Sequence, residues 1–263
     1  MKKLKAIAII PARGGSKRIP KKNIKRFLGR PIIAYSISGA LGSGCFDEVM
    51  VSTDSEEIKK VSLKYKAKVP FLRSAKNASD HAPIADAVLE VIESYRGQGV
   101  TFKYFCCILP TVPTISPGRI AEAYQTLRRM GADAVMPVVE YEHPVQRMLK
   151  TSGAYIKMVD PDNKEKRSQD LPPMYHDAGR FVWVKTESFL KQKTFFMKKT
   201  VPMFFDRIIV QDIDSEQDWK IAEMKFLMKS KTIRGRLYTT LWKIAILLLA
   251  LSSLAWIMAL IIY

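Results

Sequence analysis

Five consecutive apolar residues, Ala6-Ile7-Ala8-Ile9-Ile10, run straight into a loop rich in glycine and cations, Pro11-Ala12-Arg13-Gly14-Gly15-Ser16-Lys17-Arg18-Ile19-Pro20-Lys21-Lys22-Asn23. A strand with one wet face alternates apolar and polar residues. An unbroken apolar run has no wet face and needs cover on both sides, as in a mostly parallel sheet sandwiched by helices. In such a sheet ligands gather where loops leave the C-terminal ends of strands, and the glycine pair stands at such a place.

The rest of the chain keeps the alternation this sheet requires. Residues 31–41 place Ile33, Ile37 and Leu41 four apart and stop at Gly42 and Gly44, a helix and its end. Residues 48–52 (EVMVS) read as a second strand. Asp54 or Ser55 stands where the next helix needs a cap, with Ile58, Val61 and Tyr65 on one face. A short third strand is expected at 69–72, and a helix at 84–95 with Val88, Val91, Ile92 and Tyr95 inward. Residues 104–109 (YFCCIL) read as a central strand stopped by Pro110. Ser116 and Pro117 open another helix, with Pro at the first helical position, and 134–139 is the next strand. Between Tyr141 and Tyr175 the pattern weakens, and 160–170 is dense in charge, Pro and Asn, which reads as an insertion or hairpin excursion. Strands return at 180–184 and 207–210, followed by a helix at 215–228. The expected fold is α/β, a three-layer doubly wound and mostly parallel sheet, plus a C-terminal hydrophobic helix.

That last helix is residues 244–263, IAILLLALSSLAWIMALIIY, 20 residues without a charge. As a helix they span about 30 Å, the thickness of a bilayer core. Lys225, Lys229, Lys231, Arg234, Arg236 and Lys243 flank it, with no acid after Glu223. The division expected is a globular domain at 1–229, a basic linker at 230–243 and a transmembrane anchor at 244–263. The basic flank keeps that domain on the cytoplasmic face of the membrane. The competing reading is a buried core helix. The N-terminus reaches Pro11 and Arg13 without a cleavage-like site and does not read as a signal peptide.

Lys+Arg is 43 against Asp+Glu 25, a net charge of +18, which calls for an anionic partner: nucleotide, nucleic acid or membrane. No recognisable RNA- or DNA-binding motif accompanies the charge, so nucleic acid is not expected. The three cysteines, Cys45, Cys106 and Cys107, contain no C-x-x-C, which argues against a disulfide framework or a structural zinc site.

Gly14 and Gly15 let backbone N–H groups approach a phosphate, and Arg13, Lys17 and Lys22 add cations. The loop is neither a Walker A sequence nor G-x-G-x-x-G, and a solvated basic loop is the competing reading. Asp212 and Asp214 follow the expected strand at 207–210 two residues apart, so both carboxylates can face one way and suit Mg²⁺. Either of them instead caps the helix beginning near Ser215. Asp54 contacts nucleotide or caps its helix. His176, beside Tyr175 and Asp177, binds a sugar hydroxyl or carboxylate, shuttles a proton, or pairs structurally with Asp177. Cys106 and Cys107 read as core.

The run IIPARGGSKRIPKKNI closely resembles the signature of the CMP-sialic acid synthetase family of cytidylyltransferases. In order behind it come VSTD at 51–54, FLR at 71–73, PTVP at 110–113 and QDIDSEQDW at 211–219. The resemblance covers roughly residues 5–229. YHDAG at 175–179, then Phe181 and Trp183, and the late VQDID are most similar to the branch acting on pseudaminic acid. The resemblance implies a nucleotide-diphospho-sugar transferase-like fold and transfer of CMP from CTP to the anomeric hydroxyl of a nonulosonic acid. Pyrophosphate is released, and the CMP-sugar serves surface glycan or glycoprotein synthesis. It implies Arg13, Lys22 and Asp214 as catalytic residues, the first two on the triphosphate. Gly14, Gly15, Ser16, Lys17 and Asn23 lie nearby, and Asp54 and Arg73 stand near the nucleotide. Tyr175, His176 and Asp177 fall on the sugar, with Phe181 and Trp183 as apolar walls, and Mg²⁺ on Asp212 and Asp214. Relatives form homodimers through an excursion placed like 141–175.

One stretch departs from the pattern. After Ser79-Asp80, relatives carry a Thr-containing segment that helps hold the nucleotide; here the chain reads His81-Ala82-Pro83-Ile84-Ala85-Asp86, without those hydroxyls. Three other readings compete: a cytidylyltransferase for N-acetylneuraminate or another acid sugar, an NTP:hexose-1-phosphate enzyme, and an inactive membrane-tethered nucleotide-binding relative. The Asp212/Asp214 pair and the intact 13–23 loop favour an enzyme, and YHDAG favours an acid sugar of the pseudaminic type.

Overall fold

The structure is a computed structural model and describes residues 2–230. The chain opens with strand β1 (Lys2–Pro11), then a short hairpin of β2 (Arg26–Phe27) and β3 (Arg30–Pro31). Helix α1 (Ile33–Gly42), strand β4 (Glu48–Ser52) and helix α2 (Glu56–Lys64) follow, then the single turn α3 (Ala75–Ala78) and helix α4 (Ile84–Gly97). Strand β5 (Val100–Ile108), helix α5 (Pro117–Met130) and strand β6 (Ala134–Glu140) complete the regular alternation. An excursion carries β7 (Leu149–Ser152) and β8 (Tyr155–Met158). The chain returns as β9 (Tyr175–Asp177), β10 (Phe181–Lys185), helix α6 (Thr186–Gln192) and β11 (Thr200–Phe204). Residues 216–230, here α7, are helical to the end of the described chain.

The main sheet runs β11-β6-β10-β5-β1-β4, with β9 also on β6. β1 is parallel to both β4 and β5, and β11 is parallel to β6. β10 is antiparallel to both its neighbours, and β9 to β6. The apolar run of β1 serves two cores at once. Ala6, Ala8 and Ile10 pack with Ile33 and Ile37 of α1 and with Ile120, Ala123 and Leu127 of α5. Ile7 and Ile9 pack on the other face with Val88, Val91 and Tyr95 of α4 and Phe189 of α6. Each fully buried Ile contributes about 1.5–3 kcal/mol, so burial on both faces fixes this strand beneath the loop it feeds. α1 packs closely on the segment that leads into α5: a Cβ on Gly39 would overlap the Ile115 side chain.

A third cluster joins Ile19, Phe27 and Ile32 to Ile213, Trp219 and Ala222. It docks the late segment and α7 against the loop behind β1, bringing together residues almost two hundred positions apart.

Several expected elements differ. The strand at 69–72 is absent; Lys68 alone bridges Met50, and Pro70 has no N–H with which to extend the ladder. The strand at 207–210 is a 3-10 turn (Arg207–Ile209), and the sheet strand lies earlier, at Thr200–Phe204. Ser116 stands at the N-cap position of α5, but its hydroxyl makes no cap bond. The excursion at 141–175 does carry a hairpin, β7–β8. The expected linker beyond Ser230 and the hydrophobic helix at 244–263 lie outside the described residues. Among the described residues no helix is long and apolar enough to cross a membrane.

Candidate functional site

The loop behind β1 is tied down at both ends. Gly14 donates its N–H to Asp54 Oδ1 at 2.8 Å. A Cβ on Gly14 would stand 3.1 Å from Ser55 Cβ, so glycine permits the close approach here, whereas Gly15 faces open space. Asp54 therefore holds the loop, and Ser55 caps α2 by accepting from Ile58 N. The buried Asn23 donates from Nδ2 to Arg13 O at 2.9 Å. Lys21 adopts a left-handed φ of 52° and turns the chain into the short 3-10 turn Lys22–Ile24. Its own ammonium goes to Glu57, 2.7 Å away.

Lys22 crosses to the late segment. Its Nζ donates to Ile213 O at 2.6 Å and lies 3.4 Å from Asp214 Oδ1. Arg18 reaches the same Asp214 oxygen at 2.8 Å. Arg13 and Lys17 instead converge on Asp80, at 2.6 and 2.5 Å. These two cations hold the Asp80 carboxyl below the usual carboxylate range, the Lys17 hydrogen bond contributing most. The buried Arg73 donates from Nε to Ser52 Oγ at 3.0 Å and braces the end of β4; burial lowers its pKa, opposed by Asp54.

These residues line a cleft of about 530 Å³ that includes Arg13, Ser16, Lys17, Lys22, Asn23, Arg73, Asp80, Thr111 and Asp212. A second cleft of about 540 Å³ is lined by Glu140, His176, Asp177, Arg207, Gln211, Lys225 and again Asp212. Asp212 thus faces both clefts. Burial raises its pKa, reinforced by the nearby Asp214 and only partly offset by Lys22.

The two aspartates do not follow a strand end as expected, because residues 207–210 form a turn, but their carboxylates stand close enough to repel each other. Asp214 is engaged by Arg18 and Lys22, whereas Asp212 makes no ion pair among the described residues. Neither caps α7. That role belongs to Ser215 and Asp218: Asp218 N donates to Ser215 Oγ at 3.2 Å, and Ser215 N to Asp218 Oδ2 at 2.8 Å. This is a reciprocal capping box.

Among the described residues no group of three or more His, Cys, Asp or Glu is placed to hold a metal alone. Mg²⁺ needs less than that, since it binds through one or two carboxylates and takes its other ligands from phosphates and water. A carboxylate open to the clefts and repelled by a neighbouring one fits that chemistry, and Asp212 is such a group.

On the second cleft, His176 is exposed. Its Nδ1 lies 2.8 Å from the Asp177 carbonyl oxygen, and its ring is 4.7 Å from that of Tyr141. Asp177 accepts from Gly179 N at 3.1 Å. Tyr175 packs edge-on against Phe204 at 5.0 Å and is not part of either lining. Trp183 is not an apolar wall. It is fully buried, donates to Ile120 O at 2.9 Å, and stacks between Phe46 and Tyr124. Phe181 lines a smaller apolar recess of about 170 Å³ beside Asp177.

Sequence reasoning missed Asp80, Arg18 and Asp218. The S-x-x-D spacing at Ser215–Asp218 was a legible cap signal. Nothing in the sequence announces that Asp80 meets Arg13 across 67 positions.

Residues 7–233 match the cytidylyltransferase family. The pseudaminic acid cytidylyltransferase of Campylobacter jejuni is 39% identical over 224 residues, 85% of this chain and 97% of that protein. The CMP-N,N'-diacetyllegionaminic acid synthase of Legionella pneumophila is 30% identical over 228 residues, 84% of this chain and 95% of that protein. A solved CMP:2-keto-3-deoxy-manno-octonic acid synthetase in complex with CTP superposes with a TM-score of 0.61 at 17% identity, covering 87% of this chain and all of that one. At that identity the likeness speaks for the fold.

Proposed function

The chain belongs to the cytidylyltransferase family, and from that premise we infer that it transfers CMP from CTP to the anomeric hydroxyl of a nonulosonic acid, releasing pyrophosphate. The observation that carries the reading is the pair of clefts sharing Asp212, one with Arg13, Lys17, Lys22 and Arg73 in its lining and one with His176, Gln211 and charged groups of both signs. The first suits a triphosphate and the second an acid sugar. The reaction then takes place where they meet.

The chemistry asks for charge compensation and in-line placement more than for a covalent intermediate. The sugar's anomeric oxygen attacks the α-phosphorus, the bond to the β,γ-pyrophosphate breaks, and the hydroxyl proton passes to water. Arg13, Lys17 and Lys22 bind the triphosphate and neutralise the departing pyrophosphate. Asn23 and Asp54 hold the backbone of the loop in place. Lys22, anchored on Ile213 O, fixes the distance between that loop and Asp212. In this reading Asp212, supported through Lys22 by Asp214, would hold Mg²⁺, which would supply charge neutralisation and activation of the attacking hydroxyl.

The relative of Campylobacter jejuni supports pseudaminic acid as the sugar. The exposed apolar side chains of the excursion, Leu149, Tyr155 and Ile156, support a homodimer formed through β7–β8. The uncharged stretch at 244–263 supports attachment to the cytoplasmic face of a membrane.

The test is pyrophosphate release with CTP, UTP, ATP or GTP, a panel of nonulosonic acids, and Mg²⁺ present or chelated. Release that needs CTP, an acid sugar and the metal together is expected. Release from sugar 1-phosphates instead would move the protein to another substrate class. Equal rates with N-acetylneuraminic acid would retire the pseudaminic assignment alone.

A further inference from the structure

Residues 207–210 leave the sheet, so their carbonyl oxygens find no strand to accept from. A basic cluster of one buried arginine and two half-buried lysines meets them instead. Arg180, only 4% exposed, donates from one terminal nitrogen to Ile209 O at 2.7 Å and to Thr114 Oγ1 at 2.9 Å. Its other terminal nitrogen donates to Thr114 O at 2.6 Å. The Thr114 hydroxyl donates in turn to Ile209 O at 2.8 Å. Lys225 donates to Val210 O at 2.6 Å and to Arg207 O at 3.1 Å. Lys229 donates to Thr114 O at 2.8 Å.

Arg180, Lys225 and Lys229 form no ion pair among the described residues. Burial pushes Arg180 down to about 10 and lowers both lysines. Desolvating cations without a carboxylate partner is costly, so their retention here calls for a return beyond packing.

Asp212 stands two residues beyond this cluster. On its other side the capping box of Ser215 and Asp218 fixes the start of α7. Gln211 spans the gap, its amide donating to Asp212 O at 3.0 Å and to Asp218 Oδ1 at 3.3 Å. The loop bearing the shared carboxylate is therefore hung between two fixed points, one of them made by Arg180 and Lys225.

The geometry points to Arg180 and Lys225 as positioning residues: they grip the carbonyls of 207–210 and thereby place the Asp212 carboxylate between the two clefts. The inference rests on the reading that Asp212 serves CTP and its metal. It adds two residues that touch neither.

Three variants test it: Arg180→Gln, Arg180→Lys and Lys225→Met. Amide hydrogen exchange reports the loop itself, and Mn²⁺ binding in the presence of CTP, followed by electron paramagnetic resonance without sugar, reports the carboxylate. Groups behind a metal ligand typically change affinity by about 10–100-fold when removed. Arg180→Gln is expected to speed exchange over 209–214, to weaken Mn²⁺ binding by roughly tenfold, and to lower kcat by a similar factor. KM for CTP should stay within about twofold, since Arg13, Lys17 and Lys22 are untouched. Arg180→Lys keeps the charge but not the fork that spans Thr114 and Ile209, so partial recovery is expected.

Exchange and Mn²⁺ affinity unchanged in folded Arg180→Gln and Lys225→Met would overturn the proposal. So would a uniform loss of stability with kcat and KM moving together. Should Arg180→Gln fail to fold, Lys225→Met decides, because that side chain is only half-buried. Wild-type protein that releases no pyrophosphate with any acid sugar sinks the functional reading instead, and the exchange experiment still judges the clamp.

Discussion

Asp80 sits where Arg13 and Lys17 converge, so an arriving triphosphate competes with a carboxylate for two of its cations. Exposed ion pairs contribute little to folding, and the contact matters for binding instead. Asp80→Asn keeps the shape and removes the competing charge. It is expected to lower KM for CTP by roughly threefold, about the strength of one exposed pair, with kcat little changed; steady-state pyrophosphate release measures both. A raised KM would mean that Asp80 prearranges the cations rather than occupying them. Asp212 makes the stronger demand. Asp212→Asn is expected to reduce turnover by about a hundredfold or more, because metal-held charge in the transition state is worth several kcal/mol. Near-normal turnover at saturating Mg²⁺, with circular dichroism unchanged, would remove Asp212 from the mechanism. Burial and Asp214 raise the Asp212 pKa, so protons compete with Mg²⁺ at higher pH than for an ordinary aspartate. The half-saturating Mg²⁺ concentration should accordingly rise as pH falls, at a pH above the usual aspartate range.

Among the elements, α7 is the one whose loss reaches furthest into the site. Trp219 packs on Phe27 at 5.6 Å, lies 4.8 Å from the Lys25 ammonium, and belongs to the cluster that seats Ile213 between Asp212 and Asp214. Trp219→Ala should cost about 3–5 kcal/mol by cavity formation. It should also weaken CTP turnover, as measured by thermal unfolding and kinetics on the same preparation; an unchanged melting temperature would contradict the packing account. The excursion carries a separate expectation. Leu149→Glu with Ile156→Glu should turn a dimer into a monomer in light scattering, whereas wild-type protein that is already monomeric would remove the dimer reading. The strands buried on both faces were legible because short continuous apolar runs such as residues 6–10 suit burial between two helical layers. Residues 207–210 misled for the same reason: Ile208, Ile209 and Val210 have strand composition, but β11 already occupies that place on β6. Nor does composition reveal direction, so β10 running against both neighbours was invisible. The 13–23 loop and Asp212 were legible through their motifs. Asp80, Arg180 and Lys225 were not, because their roles lie in contacts with distant backbone and side chains.

For the whole molecule, the question is how the clefts relate to the chain beyond Ser230. Only four of the 43 basic residues lie past that point, Lys231, Arg234, Arg236 and Lys243, so most of the +18 belongs to the catalytic body. The cations and carboxylates given above for the two clefts, from Arg13 to Lys225, all precede that point in the sequence. Truncation after Ser230 is therefore expected to give a folded protein with CTP kinetics close to the full chain. The remainder holds an uncharged stretch of 20 residues at 244–263, preceded directly by Lys243. Strongly apolar residues favour insertion by a few tenths of a kcal/mol each, and a central arginine opposes it by about 3 kcal/mol. Leu251→Arg together with Leu254→Arg should then release the full-length protein from membranes that otherwise retain it through an alkaline carbonate wash. Release of the unmodified chain by carbonate would show that the stretch does not span. A truncated protein that fails to fold would make the stretch a core helix and would end the anchor reading.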